Sequence, residues 1–145
     1  MTKDRQSDLL LDLYKHDVAA CDVYKEVLSH IEDDELRNRI TEFLHDHQEH
    51  VRSLEAAYEK RVGSPPARGI DIKGTMLFGY ASMRSMTGQE GAIKALQTAE
   101  RVLLKRYEEA AAQEDDYPED IAKIINKDLK DEQRHNAYID DKLSS

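Results

Sequence analysis

The sequence predicts an all-α protein, a four-helix bundle in which one long crossover joins the second and third helices. Four segments place apolar residues alternately three and four positions apart, which is the period of a helix packed in a bundle. Two of the turns between them are short, whereas residues 63–69 contain two prolines and two glycines, which end a helix. With 145 residues, of which 39% are hydrophobic, we expect residues 1–145 to form a single domain.

The first two helices are predicted over residues 7–31 and 33–62, with Ser7 as the N-cap of the first. A short turn at 32–34 separates them, so they should lie antiparallel. The expected inward positions are Leu10, Tyr14, Asp17, Cys21, Tyr24, Leu28 and Ile31 in the first helix, and Leu36, Ile40, Phe43, His47, His50, Leu54 and Ala57 in the second.

The second pair of helices follows the crossover, in which residues 74–86 could hold a short helix. The third main helix is predicted over 89–113, and the fourth begins at Pro118, a favourable residue for a first helical turn. The expected inward positions are Ile93, Leu96, Glu100, Leu103, Tyr107 and Ala110 in the third helix, and Ile121, Ile125, Leu129, Glu132, His135, Ile139 and Leu143 in the fourth.

Six ionisable residues interrupt these apolar stripes, and they are the candidate metal ligands: Asp17, His47, His50, Glu100, Glu132 and His135. Charged side chains are rarely buried unless they are paired or bind a metal ion. Two divalent cations would supply four positive charges against three carboxylates, and imidazole together with carboxylate suits iron, manganese or zinc.

The six residues also form an internal repeat. Asp17 is followed after 28 residues by Asp-His-Gln-Glu-His at 46–50, and Glu100 is followed after 30 residues by Asp-Glu-Gln-Arg-His at 131–135. Tyr24 and Tyr107 each lie seven residues after the first carboxylate of their half. Two side chains at i and i+3 on a helix point the same way, so the pattern predicts a dinuclear site in the bundle core.

The second half of this repeat, Glu100 and the run at 131–135, resembles the diiron signature of the ferritin-like superfamily, which includes rubrerythrin, bacterioferritin and the diiron oxygenases. Residues 76–110 are similar to those of small bacterial ferritin-like proteins. The resemblance implies two iron ions per chain, with zinc or manganese as alternatives, held by the six residues. Asp17 and His47 stand where the family usually has Glu, and His47 is expected to bind one ion through one nitrogen. We therefore expect two metal positions of unequal affinity. The position that binds metal more tightly should lie beside Glu100, Glu132 and His135.

Two functions from different classes remain open. The first is a ferritin-like dinuclear metal protein, either an oxidoreductase acting on O2, peroxide or Fe(II) or a protein that binds or stores iron. The alternative is a non-enzymatic helical stress or interaction protein with a vestigial or structural metal site. The expected partners are metal ions and a second copy of the chain in a homodimer, rather than a large ferritin cage.

Composition excludes several other classes. The net charge of −9 argues against nucleic-acid binding, and no run of 18 apolar residues is present to span a membrane. A single cysteine excludes a four-cysteine zinc or rubredoxin-like site. With no apolar segment of a signal peptide at the N-terminus, we expect a cytoplasmic protein.

Several further residues have more than one interpretation. Asp46 and Asp131 either orient a ligand imidazole or are solvated, and Glu49 becomes a ligand only if its helix is rotated. Tyr24, Tyr107 and Cys21 are interpreted as core residues. The three remaining histidines, His16, His30 and His45, are expected to be exposed.

Overall fold

The computed structural model describes residues 2–67 and 87–144, and four long helices make up most of that chain. They are α1 (Lys3–Leu28), α2 (Asp34–Val62), α3 (Gly88–Ala111) and α4 (Glu119–Ser144). A short 3-10 helix, Glu114–Asp116, lies between α3 and α4. The described residues contain no strand, and the predicted all-α four-helix bundle is confirmed. The short helix predicted within 74–86 lies outside the described residues.

Helix α1 begins one turn earlier than predicted. Its N-cap is Thr2, whose side-chain oxygen accepts a hydrogen bond from the backbone N–H of Arg5 at 3.2 Å. The prediction of Ser7 as the cap is wrong, because Ser7 lies within the helix and its hydroxyl donates to the carbonyl of Lys3. Threonine and serine are both good caps, and the polar residues of the first turn carry no apolar periodicity that would have distinguished them.

Helix α2 has the boundaries that its capping residues predict. Asp33 accepts a hydrogen bond from the backbone N–H of Leu36 at 2.8 Å and so caps the N-terminus. Gly63 ends the helix in the left-handed conformation, at φ 90°, and its N–H donates to the carbonyl of Glu59. Glycine adopts this conformation without a steric penalty, which is why it is common at this position.

The four helices form a square in which α1 packs against α2 and α3, while α4 packs against α2 and α3. At one end of the bundle, Arg61 of α2 donates to Gln6 of α1 and to Asp120 of α4. At the other end, the side chain of Gln89 in α3 accepts from the backbone N–H of Asp33. Helix α2 therefore ends at the opposite end of the bundle from the start of α3, as the predicted long connection requires.

The core has two apolar parts with a polar layer between them. One part is built mainly from the later half of α1, the first half of α2 and the first half of α3. The other is built from the first half of α1 and the later parts of α2 and α3, together with Ile121 and Ile125 of α4. All six candidate ligands lie between these two parts. The described helices include none with the length and hydropathy needed to cross a membrane.

The buried surface of α1 is wider than the single predicted stripe. A second row of buried residues runs through Leu13, His16, Ala20 and Val23. The expectation that His16 is exposed is wrong, because this side chain is only 5% exposed and its Nδ1 donates to the carbonyl of Asp12. A helix that packs against two neighbours at once buries positions on both sides of its central stripe.

Candidate metal centre

The six predicted ligands meet in the polar layer, and each of them has no exposed surface. Their ligand atoms form two groups that could hold a metal ion, and within each group these atoms lie within 4.8 Å of one another. The Asp17 group consists of Asp17, His47, His50 and Glu132, and the Glu100 group consists of His47, Glu100, Glu132 and His135. Each group contains two imidazoles and two carboxylates, and His47 and Glu132 belong to both.

The Asp17 group has the spacing expected of atoms around one ion. The Nδ1 atom of His47 lies 2.8 Å from Asp17 Oδ1 and 3.5 Å from Glu132 Oε1. The Nδ1 atom of His50 lies 3.1 Å and 3.8 Å from the same two oxygens. Tetrahedral ligands with bonds of 2.0–2.1 Å lie about 3.3 Å apart, which falls within the observed range.

Most of the buried side-chain polar atoms that lack a hydrogen-bond partner among the described residues belong to the Glu100 group. His47 Nε2 lies 2.7 Å from Glu100 Oε1, and His135 Nδ1 lies 3.5 Å from Glu100 Oε2. Glu100 Oε2, both oxygens of Glu132 and Nδ1 of His135 are buried without a hydrogen-bond partner among the described residues. A buried polar atom without a partner costs roughly 1–3 kcal/mol, so four of them in one place fit a bound cation.

Two aspartates orient the imidazoles of His50 and His135. Asp131 accepts from Nε2 of His50 at 2.8 Å, and Asp46 accepts from Nε2 of His135 at 2.8 Å. Each contact places the remaining nitrogen, Nδ1, towards the centre of the polar layer. Carboxylates commonly fix the tautomer of metal-binding histidines in this way. Of the two interpretations left open, the orienting role is therefore the one that the contacts of both aspartates support.

Two tyrosines hold the carboxylates of α1 and α3. Tyr24 donates to Glu100 Oε1 at 2.6 Å, and Tyr107 donates to Asp17 Oδ2 at 2.5 Å. Burial and the adjacent carboxylates raise the pKa of both phenols well above its usual value, so both remain donors. Both side chains are fully buried in the core, as predicted. The hydrogen bonds were not predicted, although the equal spacing of the two tyrosines in the repeat was their signal.

Asp128 is a buried acid that the sequence interpretation missed. It is 1% exposed, its Oδ2 lies 3.0 Å from the hydroxyl oxygen of Tyr107, and its Oδ1 lies 3.4 Å from His50 Nε2. Burial, with a smaller contribution from Asp17, raises its pKa to about 7. The signal was available in the helical spacing, because an alternation of four and three residues from Ile121 reaches position 128, whereas the prediction placed Leu129 in the stripe.

A third group that could hold a cation consists of His50, Asp128 and Asp131. Asp131, however, also accepts from Lys127 at 3.1 Å and from Arg134 at 3.0 Å. These two positive side chains already neutralise the carboxylate and would repel a metal ion. The two groups in the centre of the layer are therefore the better candidates.

Ionic contacts within the cluster set its charges in the absence of metal. Burial alone would raise the pKa of Asp17, but His50 and His47 lower it to about 2. Burial opposes protonation of the imidazoles, yet Glu100 and Asp17 raise the pKa of His47 to about 9, and Asp17 and Asp131 raise that of His50 to about 10. At neutral pH both imidazoles are therefore protonated in the metal-free protein.

The two glutamates of the cluster have opposite shifts. Burial would raise the pKa of Glu100, but His47 holds it well below its usual value. Burial and the neighbouring charge of Glu100 raise the pKa of Glu132 well above its usual value. Glu132 is thus the carboxyl group that a proton occupies and that a metal ion would have to deprotonate.

The remaining candidates lie outside both central groups. Glu49 is exposed and pairs with Arg52, so α2 is not rotated in the way that would make Glu49 a ligand. His45 is exposed as predicted, and His30 is partly exposed. Cys21 is buried as predicted, and burial raises its pKa to about 12, so it remains a protonated thiol.

The comparisons with known proteins identify the family. Residues 5–113 match the family described as a domain of unknown function, DUF2383. The chain belongs to the DUF2383 family. The matched part of this DUF2383 chain contains Asp17, His47, His50 and Glu100, whereas Glu132 and His135 lie beyond it. Comparison with curated proteins and with solved structures finds no match.

Proposed function

We propose that this DUF2383 chain binds two divalent metal ions, iron in the first place, in the core of a ferritin-like bundle. The observation that carries the proposal is the pair of groups sharing His47 and Glu132. Each group supplies two imidazoles and two carboxylates. The buried atoms of Glu100, Glu132 and His135 that have no hydrogen-bond partner among the described residues lie where an ion would satisfy them.

The charge of the polar layer is compatible with two divalent ions. Four buried carboxyl groups face this layer: those of Asp17, Glu100, Asp128 and Glu132. Fully ionised, they carry four negative charges, which two divalent cations would balance. With fewer ions, protons on Glu132, His47 and His50 would have to balance the remaining charge, as they do in the metal-free protein.

The ligand types favour iron and an oxidoreductase. Two histidines with carboxylate oxygens are characteristic of non-haem Fe(II) sites, and the same atoms also accept zinc or manganese. Iron held here would supply one-electron chemistry with O2 or peroxide as substrates, or with further Fe(II). The chain's own part is to orient His50 and His135 through Asp131 and Asp46, and to exclude bulk water with the two apolar parts of the core.

Metal loading under anaerobic conditions tests this proposal. Purified protein is incubated with excess Fe(II), freed of unbound metal, and analysed for iron per chain and for oxidation by O2 or peroxide in a stopped-flow instrument. We expect two iron ions per chain and an oxidation phase faster than that of Fe(II) in buffer. His45→Ala, which removes an exposed histidine from the same helix, should behave like the wild type. Wild-type protein that retains no iron would overturn the proposal.

A second candidate function is a metal-free helical interaction protein with a vestigial core. The observation in its favour is that both nitrogens of His47 and His50 lie within hydrogen-bond distance of carboxylates, so the protonated imidazoles neutralise Asp17 and Glu100. This function predicts no metal after loading and the same melting temperature with and without a chelator. The first function predicts a higher melting temperature with metal, because the ion binds only the folded state.

We also propose that the chain forms a homodimer, as its resemblance to ferritin-like proteins implies. Light scattering at micromolar concentration should give about twice the mass of one chain. A mass of one chain would contradict this proposal, and the mass of a cage of many chains would do so as well.

A further inference from the structure

We propose that His47 bridges the two metal ions as an imidazolate, binding one ion through each ring nitrogen. This inference rests on the proposed function, because it requires two bound ions. It replaces the expectation from the sequence that His47 serves a single ion through one nitrogen. His47 would then be shared by both ions at the position where the ferritin-like pattern usually has a glutamate.

The two nitrogens of His47 contact carboxylates of different groups. Nδ1 lies 2.8 Å from Asp17 Oδ1 and 3.5 Å from Glu132 Oε1, on the side of the Asp17 group. Nε2 lies 2.7 Å from Oε1 of Glu100, on the side of the Glu100 group. An ion bound at either side would therefore find a ring nitrogen and a carboxylate oxygen already close enough to be its ligands.

The other two histidines of the site are arranged differently. His50 and His135 each use Nε2 for an orienting aspartate, Asp131 and Asp46 respectively, which leaves Nδ1 as the nitrogen that faces the centre. The ring of His47 lies between them, with centroids 5.3 Å from that of His50 and 5.0 Å from that of His135. Of these three histidines, His47 is thus the one that contacts Asp17 through one ring nitrogen and Glu100 through the other.

The chemistry of the bridge is a balanced exchange of protons for metal ions. In the metal-free protein, one N–H of the His47 imidazolium points at Asp17 and the other at Glu100. Binding the two ions displaces four protons to the buffer: both ring protons of His47, the Nδ1 proton of His50 and the carboxyl proton of Glu132. Each nitrogen lone pair of His47 then binds one ion. The carboxylates that accepted the hydrogen bonds become ligands of the same two ions, so no buried acceptor is left without a partner.

Nitrogen NMR of the zinc-loaded protein tests the bridge directly. The chain is labelled with 15N-histidine, saturated with Zn(II), a diamagnetic ion, and analysed for bound zinc and by long-range 1H–15N correlation. We expect two zinc ions per chain and two ring nitrogens of His47 that are both metal-bound and carry no proton. His50 and His135 should each show one metal-bound nitrogen and one N–H.

Two variants assign the signals. His47→Gln should remove the pair of metal-bound nitrogen signals assigned to His47 and lower the zinc content per chain. His45→Gln, a change at an exposed residue of the same helix, should remove only a signal that is insensitive to zinc. If His47→Gln does not fold, as judged by circular dichroism, selective 15N-Nδ1 and 15N-Nε2 labelling of the wild type still shows whether one histidine has both nitrogens metal-bound.

The outcomes separate this inference from the proposed function. Two bound zinc ions with a proton on either nitrogen of His47 would overturn the bridge and leave the dinuclear site intact. One bound zinc ion would overturn the bridge and would contradict a site for two ions. Zinc that does not bind at all would overturn both.

Discussion

At the residue scale, the same two contacts occur in both halves of the polar layer. A tyrosine of one helix holds the carboxylate of its neighbour, in the pairs Tyr24–Glu100 and Tyr107–Asp17. An aspartate of each of the helices α2 and α4 accepts a hydrogen bond from a histidine of the other, in the pairs Asp46–His135 and Asp131–His50. The repeat that is visible in the sequence is therefore a repeat of hydrogen bonds in the structure.

Removing one tyrosine hydroxyl should destabilise the metal-free protein. Tyr24→Phe removes one of the two hydrogen bonds that Glu100 Oε1 accepts, the other coming from His47, and a hydrogen bond to a charged group contributes about 1.5–3 kcal/mol. We expect a loss of this size in the free energy of unfolding, measured by urea denaturation in the presence of a chelator. Tyr138→Phe is the matched control, because its buried hydroxyl has no hydrogen-bond partner among the described residues. Equal losses in the two variants would contradict this account of Tyr24.

Removing an orienting carboxylate should weaken metal binding without abolishing it. Asp46→Asn keeps the shape of the side chain but weakens the contact with His135, and such changes typically lower metal affinity about 10–100-fold. Calorimetric titration with Zn(II) measures the effect. Asp140→Asn on α4, the helix of His135, where the acid pairs with Arg101 at the surface, should leave the affinity unchanged. An unchanged affinity in Asp46→Asn would show that this contact does not orient a ligand.

At the scale of the helices, the sequence predicts the parts of the fold in which local signals agree. The end of α2 follows from Gly63, and the start follows from Asp33, because the cap and the apolar stripe point to the same boundary. The first turn of α1 lacks apolar residues, so its true cap was missed. Hydrophobic patterning selects the apolar Leu129 as a core residue and passes over Asp128, although Asp128 is the more buried of the two. The pattern of apolar and polar residues alone does not identify Asp128 as a buried acid, because its burial depends on contacts with Tyr107 and His50 on other helices.

The cap of α2 gives a prediction at this scale. Asp33→Ala removes the acceptor for the backbone N–H of Leu36 and should cost about 1 kcal/mol of stability. Asp33→Asn should preserve most of that stability, since asparagine is an equally good N-cap. Thermal denaturation of the two variants measures the difference. An alanine variant as stable as the asparagine variant would contradict the assignment of Asp33 as the cap.

At the scale of the whole molecule, a polar layer divides the core, and the proposed metal ions would compete there with protons for the same ligand atoms. Six of its residues could be predicted, because the repeat and the helical period place them on inward faces. That His47 and Glu132 belong to both ligand groups could not be predicted, because the position of His47 between Asp17 and Glu100 depends on how four helices pack. The same packing determines which groups hold protons when metal is absent.

Metal affinity should therefore increase with pH. Contacts with carboxylates raise the pKa of His47 to about 9 and that of His50 to about 10, so both imidazoles are charged at pH 6 to 8 in the metal-free protein. A metal ion binds only the deprotonated imidazole and must displace these protons. We expect an affinity increase of about tenfold or more per pH unit in this range, with proton release detected by calorimetry in buffers of different ionisation enthalpy. A pH-independent affinity would contradict these charge assignments.

The central claim, that the polar layer is a dinuclear metal site, is tested most directly by anomalous X-ray diffraction from crystals of protein saturated with iron. Data collected on both sides of the iron absorption edge locate the ions without reference to activity. The account predicts two peaks within each chain, one among the ligand atoms of Asp17, His47, His50 and Glu132 and one among those of His47, Glu100, Glu132 and His135. A polar layer without an anomalous peak, in crystals whose saturation with iron is confirmed by metal analysis, would contradict it.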